Sequence, residues 1–187
     1  LGMTIDRDKI SQRILKGGQI PAYTITPPGT MGYYPKSDLA FDPEAARQLL
    51  ADAGYPNGEG FPATEILYNT SEGHRKIAVA IQQMWKKHLN IDVKLLNQEW
   101  KVYLNSVTSL DYEIGRAGWI GDYVDPNNFL DMFLCNGGNN RTSWCNPEYD
   151  QLILKAAPEA KTHAERLAIF ERAETMLLDA MPGIPIY

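Results

Sequence analysis

Between residues 63 and 119 the apolar pattern switches period four times, and no other feature narrows the possible folds as much. Ala63–Tyr68 reads as a strand, and residues 72–89 then carry Ile77, Ile81, Met84, Trp85 and His88 at helical spacing. Ile91, Val93 and Leu95 alternate with polar residues, which is the period of a second strand. A short helix follows Trp100 with Tyr103 and Leu104 inward, and Tyr112–Trp119 is the third strand. Strands separated by helices pair in parallel through right-handed crossovers. The expected fold class is therefore α/β, a central, mostly parallel sheet flanked by helices.

The flanking chain fits this scheme. Asp6 caps a first helix that Gly17-Gly18 stops, and Asp42-Pro43 puts a cap and then a proline at the start of a second. Ala46, Leu49, Leu50 and Ala53 line its apolar face, and Gly54 ends it. Residues 19–41, rich in Pro, Tyr and Gly, read as an ordered loop. Further helices are expected near Asn128–Leu134, after Asn146-Pro147, and from the capping box of Thr162 and Glu165. Leu167, Phe170, Ala173 and Leu177 form the apolar face of that last helix.

Size and charge limit the function. A chain of 187 residues can bury a real core as one domain or one lobe of something larger. Its net charge of −5, with no basic cluster, argues against a nucleic-acid or anionic-membrane partner. The apolar start Leu1-Gly-Met-Thr-Ile5 and the strand-like end Met181–Tyr187 suggest a piece of a longer protein. Cys135 and Cys145 flank nine residues of a polar loop, so they either close it as a disulfide or stand as two buried thiols. A disulfide would imply an oxidising compartment.

The segment Arg116–Phe129 is where a ligand site is expected. It leaves the third strand through two glycines and presents Trp119, Asp122 and Tyr123 in quick succession. In open α/β sheets, ligands bind beyond the carboxyl ends of the strands. Asp122 could hold a cation there, or act only as a turn cap; Asp125, before Pro126, suits the turn-forming role better. Arg116 could hold an anion or pair with Glu99 or Glu113. Trp100 and Trp119 could line one crevice if their strands are neighbours, with core packing as the alternative. Trp85, in mid-helix, reads as core. His74, at a helix start, could meet an anion. Its fourteen-residue distance from His88 makes no metal site. No nucleophile elbow, phosphate loop, dinucleotide fingerprint or His-Glu-x-x-His occurs, so catalysis is the lesser hypothesis.

Several stretches, in order along the whole chain, resemble one family. They are Ile5-Asp6-Arg7, Asp42–Gly54, Leu67–Ser71, Met84–Lys87, Asn97–Lys101, Arg116–Phe129 and Asn146–Asp150. Together they are similar to the oligopeptide-binding proteins of ABC importers, whose members are far longer. The resemblance implies that residues 1–187 form a single lobe of a type II periplasmic-binding-protein (Venus-flytrap) fold, with the second lobe on missing chain. It implies a periplasmic or lipid-anchored receptor that hands oligopeptides to ABC permease membrane subunits, without enzymatic activity or cofactor. Asp122, with Tyr123 beside it, would accept the peptide's α-ammonium. Trp100 and Trp119 would line side-chain pockets, and Arg116 and His74 would receive terminal carboxylates. The same scaffold binding dipeptides, murein peptides, nickel or haem is the second reading, and an α/β hydrolase using Asp122 a remote third.

Overall fold

A computed structural model describes residues 1–187. Internal contacts divide them into two compact units: Leu1–Pro21, Leu39–Gly118 and Ile186–Tyr187 form the first, Ala22–Asp38 and Trp119–Pro185 the second.

The first unit is built on a three-stranded parallel sheet in the order β2-β1-β3. Its first helix, α1 (Arg7–Lys9), is capped by Asp6, which accepts from the Lys9 N–H at 2.9 Å. It widens into a turn over Ile10–Leu15 that ends at Lys16 in the left-handed region, φ 57°, one residue before the glycines expected to stop it. In α2 (Pro43–Asp52), Asp42 accepts from the Glu44 and Ala45 N–H groups at 3.1 and 3.0 Å. Ala46 is its buried residue; Leu49, expected inside, is 59% exposed.

Strand β1 (Thr64–Asn69) leads into α3 (Glu72–Leu89), which buries Ile77, Ala78, Ala80, Met84, Trp85 and Leu89. Trp85 is core, as its spacing predicts. Strand β2 (Val93–Gln98) pairs residue by residue with β1, from Thr64 with Val93 to Asn69 with Gln98. Helix α4 (Trp100–Thr108) covers that sheet with Tyr103 and Val107, which pack with Leu67. Strand β3 is only Ile114–Gly115, far shorter than the expected Tyr112–Trp119. At Gly115 an added Cβ would lie 2.8 Å from the Tyr112 ring, so that ring packs directly on the bare backbone of the strand.

The second unit is helical around the cluster Tyr33, Leu130, Phe133, Tyr149, Leu152, Ile153, Phe170, Ala173 and Leu177. Helix α5 (Asn127–Leu130) tightens into a 3₁₀ turn, Asp131–Phe133. The loop after it is closed by a disulfide between Cys135 and Cys145. Asn146 caps α6 (Pro147–Gln151), which runs through a wide turn into α7 (Ala157–Glu159). In α8 (His163–Ala180) the Thr162 hydroxyl accepts from the Glu165 N–H at 3.1 Å, while the Glu165 carboxylate accepts from Lys161 N–H rather than Thr162 N–H. The buried Glu174 of α8 accepts from the backbone N–H groups of Ile25 and Thr26, both at 2.8 Å, and so ties residues 22–38 into this unit. No helix is long and apolar enough to cross a membrane.

Candidate functional site

In the first unit, His74, Arg116 and Trp100 collect beyond the carboxyl ends of the parallel strands, where the sheet's unpaired backbone ends face outward. His74 sits in the first turn of α3, and its Nδ1 lies 2.9 Å from the Asn69 Oδ1 at the end of β1. Burial, then the nearby Arg116 charge, pushes its pKa below the ordinary histidine value. Arg116 continues the β3 ladder one residue further, its N–H donating to Leu67 O at 2.8 Å. The Tyr103 hydroxyl donates to the Arg116 carbonyl. The guanidinium folds back against Gly118, where an added Cβ would stand 3.3 Å from Nη2.

Neither acid offered as a partner takes up the Arg116 guanidinium. Glu99 caps α4 through Lys101 N–H, and Glu113 accepts from Glu65 N–H at 3.3 Å. No carboxylate forms a salt bridge with Arg116. Trp100 stands at the start of α4, stacked on Tyr103 with ring centroids 5.6 Å apart, and remains 52% exposed. The condition that its strand should neighbour that of Trp119 is not met, because β1 separates β2 from β3.

In the second unit, the loop carrying Asp122 is fixed at both ends. At its start, the Trp119 indole N–H donates to Asn128 Oδ1 at 2.8 Å, and Asn128 is buried. Gly121 lies against the Phe129 ring so closely that a Cβ would come within 3.1 Å of it. At its end, Asp125 accepts from Asn127 N–H at 2.9 Å and from both arms of Arg166. The turn-forming role therefore belongs to Asp125. Asp122 between these fixtures is exposed, and no hydrogen bond or ion pair engages its carboxylate. Ile120 and Val124 beside it are 90% and 75% exposed, an apolar border around one free acid. The Asn127 side-chain amide bridges the half-exposed Tyr123 hydroxyl at 3.3 Å and the Asp131 carboxylate at 3.4 Å.

Asp131 was not foreseen from sequence. Burial, and then the Asp122 charge, raise its pKa. Its only signal is the four-residue spacing from Asn127 along one helical face. Arg166, 41 residues from Asp125, gives no local signal at all. The chain has no group of three or more His, Cys, Asp or Glu side chains disposed to hold a metal ion.

Comparison with known proteins adds identity to this geometry. The oligopeptide-binding protein OppA of Bacillus subtilis is 40% identical over 196 residues, which cover all of this chain and 36% of the relative. The structure of the Escherichia coli murein tripeptide binding protein MppA superposes with a TM-score of 0.92 at 39% identity, covering 100% of this chain and 37% of that one. Haemophilus influenzae OppA in complex with the peptide RPPGFSPFR superposes with a TM-score of 0.88 at 37% identity, covering 99% of this chain and 37% of that one. The chain thus spans a little over a third of the length of these relatives. Its α/β architecture is that of type II periplasmic binding proteins. The family model for bacterial extracellular solute-binding proteins, family 5 (middle part), matches residues 1–141. That match takes in well over half of the sequence, and the chain belongs to this family.

Proposed function

We propose that this chain is part of a two-lobed receptor that captures extended oligopeptides outside the cytoplasm and delivers them to the permease subunits of an ABC importer. The observation that carries the reading is Asp122: an exposed carboxylate without a partner, on a loop fixed on either side. Such a group has not spent its charge on the fold and can meet an α-ammonium, forming a charge-assisted bond when the ligand excludes water. Trp119 and Tyr123 border it, and Trp100 offers an aromatic wall in the first unit. Arg116, free of any carboxylate, and His74 suit the peptide's terminal carboxylate. Peptide names attached to OppA and MppA relatives support the ligand class. MppA also favours a second reading, a murein peptide held through the same free amine.

Calorimetry on the full-length receptor tests the amine anchor. Tri- to pentapeptides should bind, and Asp122→Ala should cost about 2–5 kcal/mol, as truncating one partner of a buried charge pair does. N-acetylation of the ligand should cost a similar amount. Unchanged binding after both alterations would refute the anchor, and hydrolysed peptide in the mass spectrum after incubation would point to an enzyme instead.

A further inference from the structure

Asp122 must stay at one place to select an amine, yet none of its own atoms is bonded to the fold. Its position is inherited from its neighbours. The Arg166 guanidinium, in the first turns of α8, grips Asp125 with two parallel bonds, Nη1 to Oδ2 at 2.7 Å and Nη2 to Oδ1 at 2.9 Å. The pair is largely withdrawn from water, with 27% and 15% of the two side chains exposed. Arg166 is itself fixed, since its guanidinium carbon lies 4.6 Å from the centre of the fully buried Phe170 ring.

Asp125 in turn shapes the backbone on both of its sides. Its Oδ1 accepts from Asn127 N–H, its carbonyl accepts from Asn128 N–H at 3.1 Å, and its own N–H donates to Tyr123 O at 3.1 Å. Asn128 also receives the Trp119 indole that holds the loop's other end. A planar fork closing on a carboxylate fixes orientation as well as distance, which the rotatable ammonium of lysine does not do.

On the reading that Asp122 anchors the peptide amine, we infer that Arg166 is a positioning residue for that anchor: through Asp125 it holds the Asp122 loop in the arrangement that discriminates a free α-ammonium from a blocked one. If the guanidinium served only the fold, removing it would lower the unfolding temperature and weaken every ligand equally through the smaller folded fraction. A positioning residue changes the selectivity itself.

The experiment is calorimetry on the full-length receptor with one tripeptide, free and N-acetylated, for wild type, Asp122→Ala, Arg166→Met and Arg166→Lys. Unfolding temperatures are measured alongside. The ratio of affinities for free over acetylated peptide should collapse in Asp122→Ala. It should fall about tenfold in Arg166→Met, the equivalent of about 1.4 kcal/mol of lost discrimination. In Arg166→Lys, which keeps the buried charge balanced and so remains folded if the methionine variant does not, the ratio should fall by a smaller factor. A collapse in Asp122→Ala with wild-type ratios in the folded Arg166 variants would overturn the positioning role and leave the anchor standing. A wild-type ratio in Asp122→Ala would overturn the anchor, and the positioning role with it.

Discussion

Breaking the Cys135–Cys145 bond gives a stability change whose size follows from the loop it closes. The cysteines lie 10 residues apart with Cα atoms 4.6 Å from each other. Chain entropy for a ring of that length gives about 2.7 kcal/mol of stabilisation at 25 °C, acting through the unfolded ensemble. The native loop has other supports that survive reduction. The Asn140 side-chain N–H groups donate to Phe133, Leu134 and Trp144 carbonyls at 3.2, 3.0 and 2.8 Å. Its Oδ1 accepts from the Thr142 N–H and hydroxyl at 3.1 and 2.8 Å, and Cys135 N–H donates to Asp150 at 3.1 Å. The Cys135→Ser/Cys145→Ser protein should therefore fold with its loop in place. It should lose about 2–3 kcal/mol in urea unfolding, or about 5–11 °C in Tm for a chain of this size. Trp144, whose ring packs edge-on to Tyr149 with centroids 5.0 Å apart, reports the transition by fluorescence. An unchanged midpoint would refute the unfolded-state argument. So would failure to fold, since it would mean that the bond holds native geometry which the asparagine bonds cannot hold alone.

Two further predictions concern protons. Burial raises the Glu174 pKa despite the backbone bonds it accepts, so the native state holds this proton more tightly than the unfolded one. Its contribution is present at acid pH and lost as pH rises through the native value. Wild-type stability relative to Glu174→Gln should accordingly fall as pH rises above about 4.3, the ordinary glutamate value; denaturant unfolding at acid and neutral pH checks this, and a rising difference would refute it. His74 donates Nδ1–H to Asn69 Oδ1 when neutral, which leaves Nε2 an acceptor, so meeting a carboxylate requires a second proton. Affinity for free-carboxylate peptides should therefore grow as pH falls below about 6.5, while C-amidated peptides and the His74→Gln receptor show no such slope in calorimetry.

The sequence is most legible where structure is local. Asp42-Pro43 and Thr162 to Glu165 announce their helices because cap and capped N–H groups lie within three residues of each other. The alternation that predicts β2 survives only at its buried start, Val93, whereas β1 buries Ile66, Leu67 and Tyr68 in succession. Strand β3 misleads because its pattern continues past Gly115, while the fold keeps only one further ladder bond, from Arg116 N–H to Leu67 O. Asp122 stands out because glycine and aromatic residues mark an open loop. What holds that loop does not stand out: Arg166 meets Asp125 only after α5 to α8 have packed, and Leu49 shows that helical spacing alone can place an apolar side chain in water.

The bonds from Ile25 and Thr26 to Glu174 join positions 149 and 148 residues apart. During synthesis the early segment leaves the ribosome first, and at about 5–20 residues per second it waits about 7–30 s for its acceptor to be made. Throughout that interval two backbone donors and Tyr33, whose ring meets Phe170 edge-on, lack their native neighbours in α8, open to proteases and to chaperones that hold extended chain. A ring closure this long also makes the docking slow and late once the acceptor exists. The second unit can thus be completed only after translation has passed residue 174, so any stalled or cleaved product that ends before α8 carries residues 22–38 as an undocked loop between two segments of the first unit.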